Sequence, residues 1–264
     1  MENNIKRNNQ LPMAQGLYDP RFEHDSCGVG FICNIKGVKS HDIVSSGLEI
    51  LKRLAHRGAT GADPKTGDGA GILIQMPHEF IAKVAKENNF TLPQKGKYGV
   101  GLVFLPRIGS ERKFCKEAFA KIIKQEKEVL LGWRNVPVDN ADIGKSAQET
   151  EPVVEQIFIG SKLESLDLER KLYLIRKQVE NIIRSSKLKQ KSFFYITNLS
   201  SRTLSYKGLL MPDQVERFFP DLLDKDMQWL ARVIFIILLR VMRLLHYLII
   251  LKRINYLVSR IFLI

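Results

Sequence analysis

Cysteine is scarce in this chain: Cys27, Cys33 and Cys115 are the only three in 264 residues, too few and too unevenly spaced for a disulfide framework. The first 26 residues mix Asn, Lys and acids with no apolar stretch of the signal-peptide kind, so a reducing cytoplasm is the expected setting. No apolar run reaches the roughly 20 residues that a membrane span requires; Arg240 and Arg243 interrupt the most apolar region. No homeodomain, zinc-finger or RNP-type pattern accompanies the net charge of +13, so nucleic acid is not an expected partner. His24, His56 and His78 never pair at two-to-four-residue spacing, and no metal is expected. Phosphate-loop chemistry is poorly supported too. The stretch Gly58–Gly71 lacks a Gly-Lys-Ser/Thr ending, and Gly144-Lys145-Ser146 has Asp139 where the leading glycine belongs. No internal repeat is present.

What is there is globular composition, with 45% hydrophobic and 26% charged residues. After a polar lead-in, an apolar run with two glycines begins at Cys27 and predicts a strand. Residues 42–56 space Ile43, Leu48, Leu51, Leu54 and Ala55 as a helix does, with Asp42 as the expected N-cap and Arg57-Gly58 closing it. Strands are expected at 72–76, 98–106, 129–138, 153–160, 193–198 and 202–208. Helices are expected from Pro77 to about Asn88, at 109–128 and at 164–184. Strands alternate with helices and also form hairpin-like pairs, which predicts an α/β or α+β fold.

From Met227 onward the character changes. Six Lys or Arg and no acid stand among Ile, Leu and Val, and from Trp229 onward there is also no Gly or Pro. At helical periodicity the arginines gather within about half the circumference, which predicts a basic amphipathic helix.

A cysteine opening an apolar strand is ordinarily a small buried hydrophobe. The surroundings of Cys27 point elsewhere. The run Gly16-Leu-Tyr-Asp-Pro-Arg-Phe-Glu-His-Asp-Ser-Cys-Gly-Val-Gly-Phe-Ile, then Leu54-Ala-His-Arg-Gly-Ala-Thr-Gly-Ala-Asp-Pro-Lys-Thr-Gly-Asp-Gly-Ala-Gly-Ile-Leu, then Ser192-Phe-Phe-Tyr-Ile-Thr-Asn-Leu-Ser-Ser-Arg-Thr-Leu-Ser-Tyr-Lys-Gly-Leu-Leu resemble the amino-terminal domain of glutamate synthase large subunits. That domain is a class II glutamine amidotransferase.

The resemblance implies an α+β fold of the N-terminal-nucleophile type, a four-layer αββα sandwich. It implies a propeptide at 1–26, a partial amidotransferase domain at 27–226 and a non-family tail at 227–264. Cys27, freed as the first residue, is the implied nucleophile. An unperturbed thiol titrates near ~8.5 and an α-amino group near ~7.7–8.0, so the amine can serve as base within the same residue. Glutamine is the implied substrate, hydrolysed to glutamate and ammonia for glutamate biosynthesis. Arg57 holds the family's His-Arg-Gly arginine position, near the nucleophile; it reads equally as a cation at a helix C-terminus. The loop Gly67-Asp68-Gly69-Ala70-Gly71 reads as structural, letting backbone pass close to the strand of Cys27. No cofactor is expected in this chain, whereas full-length relatives use FMN and an iron–sulfur cluster. Their synthase domains, and an electron-donor subunit or ferredoxin, are the implied partners.

The resemblance stops near residue 227. The family's Arg-Phe-Ser-Thr-Asn-Thr segment, implied to hold the glutamine carboxylate, and its His-Asn-Gly-Glu-Ile-Asn segment, implied to form the oxyanion hole, have no counterpart here. A frameshifted or truncated reading after about residue 227 is the expectation, with an impaired fragment as its product. The alternative is a non-catalytic, membrane-associated protein anchored by the basic C-terminal helix.

Overall fold

The fold follows from where apolar residues repeat with a period of two and where with a period near 3.6. A computed structural model describes residues 28–58, 60, 63–227 and 234–238, and these form a mixed helix-and-sheet, α+β structure. Strands β1 (Gly28–Ile32), β2 (Ala70–Gln75), β3 (Tyr98–Leu105), β4 (Val129–Asn135), β5 (Val153–Gly160), β6 (Tyr195–Ser200), β7 (Thr203–Gly208) and β8 (Ile234–Leu238) divide into two antiparallel sheets. The first has the order β1-β8-β2-β7 and the second β4-β5-β3-β6. The helices are α1 (His41–Arg53), α2 (His78–Glu87), α3 (Gly109–Gln125), α4 (Lys145–Thr150), α5 (Ser165–Ser185) and α6 (Gln214–Phe218).

The sequence YGVGLVFL of β3 has no polar residue to turn outward because both its faces are covered. Val103 and Leu105 join α3 (Cys115, Phe119, Ile122) and α5 (Leu172, Ile175, Val179) in one buried cluster. Tyr98, Val100 and Leu102 point the other way. They enter a second cluster with α1 (Val44, Leu48, Leu51), α2 (Phe80, Ile81, Val84) and Ile72, Ile74, Leu204 and Tyr206 of the first sheet. Each such Leu or Ile contributes about 1.5–3 kcal/mol on burial.

Helix α1 departs from expectation at both ends. Ser40 is its N-cap, accepting from the Asp42 amide at 3.0 Å, so Asp42 sits in the first turn, where its charge suits the helix dipole. The α-helix stops at Arg53, and a 3-10 turn, Leu54–Arg57, carries the chain onward. Gly58 is extended (φ −83°, ψ 163°), so it is not a left-handed cap.

The expected C-terminal helix is corrected over its described part. Residues 234–238 form β8, an interior strand antiparallel to β1 and β2 alike. Ile-Phe-Ile-Ile-Leu is branched and aromatic, and two neighbouring strands offer unpaired backbone groups at once; together these outweigh helical periodicity. The rest of the expected helix lies outside the described residues.

Candidate active site

Chain order and register bring three segments to one end of the first sheet. Gly28 pairs with Leu238, Leu238 with Ala70, and Ala70 with Gly208. Cys27 directly precedes this row and lies outside the described residues. The glycine loop enters the row at Ala70, and the chain leaves it after Gly208.

The 3-10 turn Leu54–Arg57 packs against β1, with the Gly58 amide donating to the Ala55 carbonyl at 3.0 Å. The turn that ends in Arg57 therefore lies beside the strand that starts one residue after Cys27. Lys52 and Arg53 are the basic residues of α1's last turn, and Arg57 follows beyond it. A helix dipole falls off within its last turn, so this position weakens the reading of Arg57 as a helix-end cation.

Two glycines of the loop are tightly packed. A Cβ on Gly67 would lie 2.4 Å from the carbonyl carbon and oxygen of Leu210. One on Gly71 would lie 2.7 Å from the Tyr206 carbonyl oxygen and 2.8 Å from the Lys207 Cα. These two glycines admit β7 and the segment after it, which corrects the expectation that they make room for the strand of Cys27.

The loop is also tethered from outside. The Lys65 carbonyl accepts from the Gly144 amide (3.1 Å) and from Gln214 Nε2 (2.9 Å). Asp63 accepts from the Lys65 amide (3.0 Å) and the Ser146 hydroxyl (3.1 Å). The Lys65 amide, more than any other group, holds the Asp63 carboxyl below the usual carboxylate range. Ser146, in the Gly-Lys-Ser stretch, is thus engaged with a carboxylate. His56 Nδ1 lies 3.0 Å from the Arg53 carbonyl and His78 Nδ1 2.8 Å from the Tyr98 hydroxyl, while His24 is outside the described residues. Among the described residues, no group of three or more His, Cys, Asp or Glu is placed to hold a metal ion. No described helix is long and apolar enough to cross a membrane.

Sequence reasoning missed β8, which closes the gap between β1 and β2, and a buried polar network of Arg134, Gln156, Tyr206 and Asp221. The only signal for the network was an arginine and a glutamine inside largely apolar strands.

A family profile described as "Glutamine amidotransferases class-II" matches residues 27–236. It begins at Cys27 and ends within β8, past the boundary near residue 227 expected from sequence. The chain is 50% identical over 220 residues to the glutamate synthase [NADPH] large chain of Bacillus subtilis, covering 82% of this chain and 14% of that one. It is 42% identical over 223 residues to the glutamate synthase [NADH] of Schizosaccharomyces pombe, covering 80% and 10%. It is 36% identical over 213 residues to a ferredoxin-dependent glutamate synthase of Arabidopsis thaliana, covering 80% and 13%. The chain thus spans about a seventh or less of the length of these relatives.

Proposed function

Because the chain belongs to the class II glutamine amidotransferases, we propose that its domain is the glutaminase part of a glutamate synthase, with Cys27 as nucleophile. One observation carries this reading: the family match opens at Cys27, as it does when a domain's mature first residue is its catalytic group.

The Cys27 thiol gives its proton to its own α-amine, and the thiolate attacks the side-chain amide carbon of glutamine. The carbon–nitrogen bond breaks as the α-ammonium returns its proton to the departing nitrogen, ammonia leaves and a thioester remains. Water then hydrolyses the thioester to glutamate and restores the thiol. While residues 1–26 stay attached, the nitrogen of Cys27 is an amide and takes no proton, so the uncleaved chain is inactive. Arg57, brought to β1 by its 3-10 turn, steadies the thiolate or the tetrahedral oxyanion.

The domain needs no cofactor for this step. FMN and an iron–sulfur cluster belong to the synthase domains that would use the ammonia, with reducing power from a nucleotide-dependent subunit or ferredoxin, in a cytoplasmic setting. The four-layer αββα arrangement belongs to the same proposal. The second sheet supports it, with helices α3 and α5 on one face and Ile72, Ile74, Leu204 and Tyr206 of the first sheet on the other. Residues 227–264 hold neither an Arg-Phe-Ser-Thr nor a His-Asn-Gly-Glu segment, so these residues by themselves do not complete the site. Loss of even one oxyanion donor costs about 10²–10³ in rate.

The test is a chimera in which residues 27–236 replace the matching segment of the Bacillus subtilis large chain, behind a cleavable leader. Glutamine-dependent glutamate release is expected, and Cys27→Ala abolishes it while ammonia-dependent synthesis persists. Unchanged glutaminase activity in Cys27→Ala refutes the assignment.

A further inference from the structure

Helix α1 ends without the left-handed residue that commonly terminates a helix. Arg53 (φ −66°, ψ −23°) and Leu54 (φ −82°, ψ 4°) both have negative φ, so no backbone stop bars another α-turn through Leu54–Arg57. Which form this segment takes decides where the Arg57 backbone stands. An α-helix turns about 100° and rises about 1.5 Å per residue, a 3-10 helix about 120° and about 2.0 Å. Over the three steps from Leu54 to Arg57 the two diverge by about 60° around the axis and about 1.5 Å along it.

One side chain selects between them. His56 Nδ1 lies 3.0 Å from the Arg53 carbonyl, which only accepts, so Nδ1 carries the proton and donates. That carbonyl, four residues back, is the group to which the Arg57 amide would donate in an α-turn. His56 thus engages the acceptor that the α form needs. The Gly58 amide donates three residues back, to Ala55, at 3.0 Å, as the 3-10 form requires. His56 is exposed, so apolar packing does not account for the contact, and Lys52 and Arg53 already complement the helix dipole.

We infer that His56 is a positioning residue for the proposed glutaminase reaction: its imidazole holds Leu54–Arg57 in the 3-10 form and so keeps the Arg57 backbone in the turn that packs against β1. The inference rests on the roles proposed for Cys27 and Arg57. The Nδ1 proton stays on the ring whether or not Nε2 is protonated, so the contact takes no part in proton transfer. Asparagine can replace it. At the end of α2, Asn88 Nδ2 donates to the Val84 carbonyl at 2.8 Å in the same way.

Two measurements test this. In the full chain, hydrogen exchange read by mass spectrometry is expected to quicken several-fold at the Gly58 amide in His56→Ala, because each passage between the two forms breaks its bond to Ala55; His56→Asn restores the protection. In the chimera with the Bacillus subtilis chain, His56→Ala is expected to lower glutamine kcat by about 10- to 100-fold, the scale of an ångström-sized misplacement. KM, Tm and ammonia-dependent synthesis stay close to the parent, which shows that the variant is folded. His56→Asn recovers most of kcat with the pH profile unchanged. In an Arg57→Ala background His56→Ala removes nothing further, since it acts through Arg57. Unchanged Gly58 exchange or unchanged kcat in His56→Ala overturns the inference. So does a full additional loss in the Arg57→Ala background, or a limb of the pH profile that His56→Asn abolishes, which assigns His56 to proton transfer. Glutaminase activity that survives Cys27→Ala overturns the underlying reading and the inference with it; activity lost in Cys27→Ala but kept in His56→Ala overturns the inference alone.

Discussion

Arg134 and Asp221 meet through two parallel hydrogen bonds, Nη1 to Oδ2 at 2.9 Å and Nη2 to Oδ1 at 2.7 Å, with both side chains buried. The pair joins β4 of the second sheet to the 3-10 turn Pro220–Leu223. Tyr206, from β7 of the first sheet, donates to Asp221 Oδ2 at 2.8 Å, and Gln156 accepts from Arg134 Nη1 at 2.9 Å. Burial works against the Arg134 charge, but the Asp221 carboxylate more than offsets it and the guanidinium is held firmly protonated. Burial, then the nearby Asp221, pushes the Tyr206 phenol well up, so it stays a donor.

Asp221→Asn leaves Arg134 charged and buried without its counterion. A loss of about 3–5 kcal/mol in unfolding free energy is expected by urea titration. The double change Arg134→Met with Asp221→Leu should recover most of that loss, since it removes both desolvation penalties. A single substitution costing nothing would mean that water reaches the pair.

Gly67→Ala sets a methyl against the Leu210 backbone, which cannot rotate away, and a loss of about 1–3 kcal/mol is expected. Gly109→Ala is the contrast. Nothing lies within 4 Å of the added carbon at the start of α3, so a gain of about 0.4–1 kcal/mol is expected. Thermal melts of the two variants should move in opposite directions.

The two described cysteines should differ in reactivity. Cys33 is exposed. Cys115 is buried against α5 and β3, and burial, aided by Glu111, pushes its thiol up to about 12. Maleimide at pH 8 is expected to label Cys33 within the native state and Cys115 only on unfolding, as peptide mapping will show.

Glu180 sits under Arg176 (2.8 Å) and Lys177 (2.7 Å). Burial alone would raise its carboxyl, but the Coulomb attraction and hydrogen bond of Arg176, with Lys177, hold it below the usual range. Its stabilisation is therefore complete above the unfolded value of about 4.3 and is lost as pH falls through the lower folded value. In Glu180→Gln, the fall of Tm between pH 5 and pH 3 should be shallower than in the parent chain.

Arg57→Ala in the chimera with the Bacillus subtilis chain is expected to lower glutamine turnover far more than it lowers Tm. A Tm drop of several degrees with turnover per folded molecule unchanged would assign Arg57 a purely structural role.

Local pattern was enough where one covering decides an element. The uninterrupted apolar run at 98–106 is β3, and the charged stripe at 164–184 is α5, each within a residue or so of expectation, because period alone separates a strand covered on both faces from a helix covered on one. The motif around Cys27 likewise led to the family by residues alone. Tertiary structure decided what depends on partners distant in sequence. Ile234–Leu238 is a strand because β1 and β2, far apart in the chain, leave a gap whose backbone groups need pairing. Gly71 serves β7, some 135 residues onward, and Gly67 the segment just after it. Arg134, Gln156, Tyr206 and Asp221 become one network only when two sheets and a turn converge. No spacing along the chain encodes those neighbours, since their contacts exist only after the loops have closed.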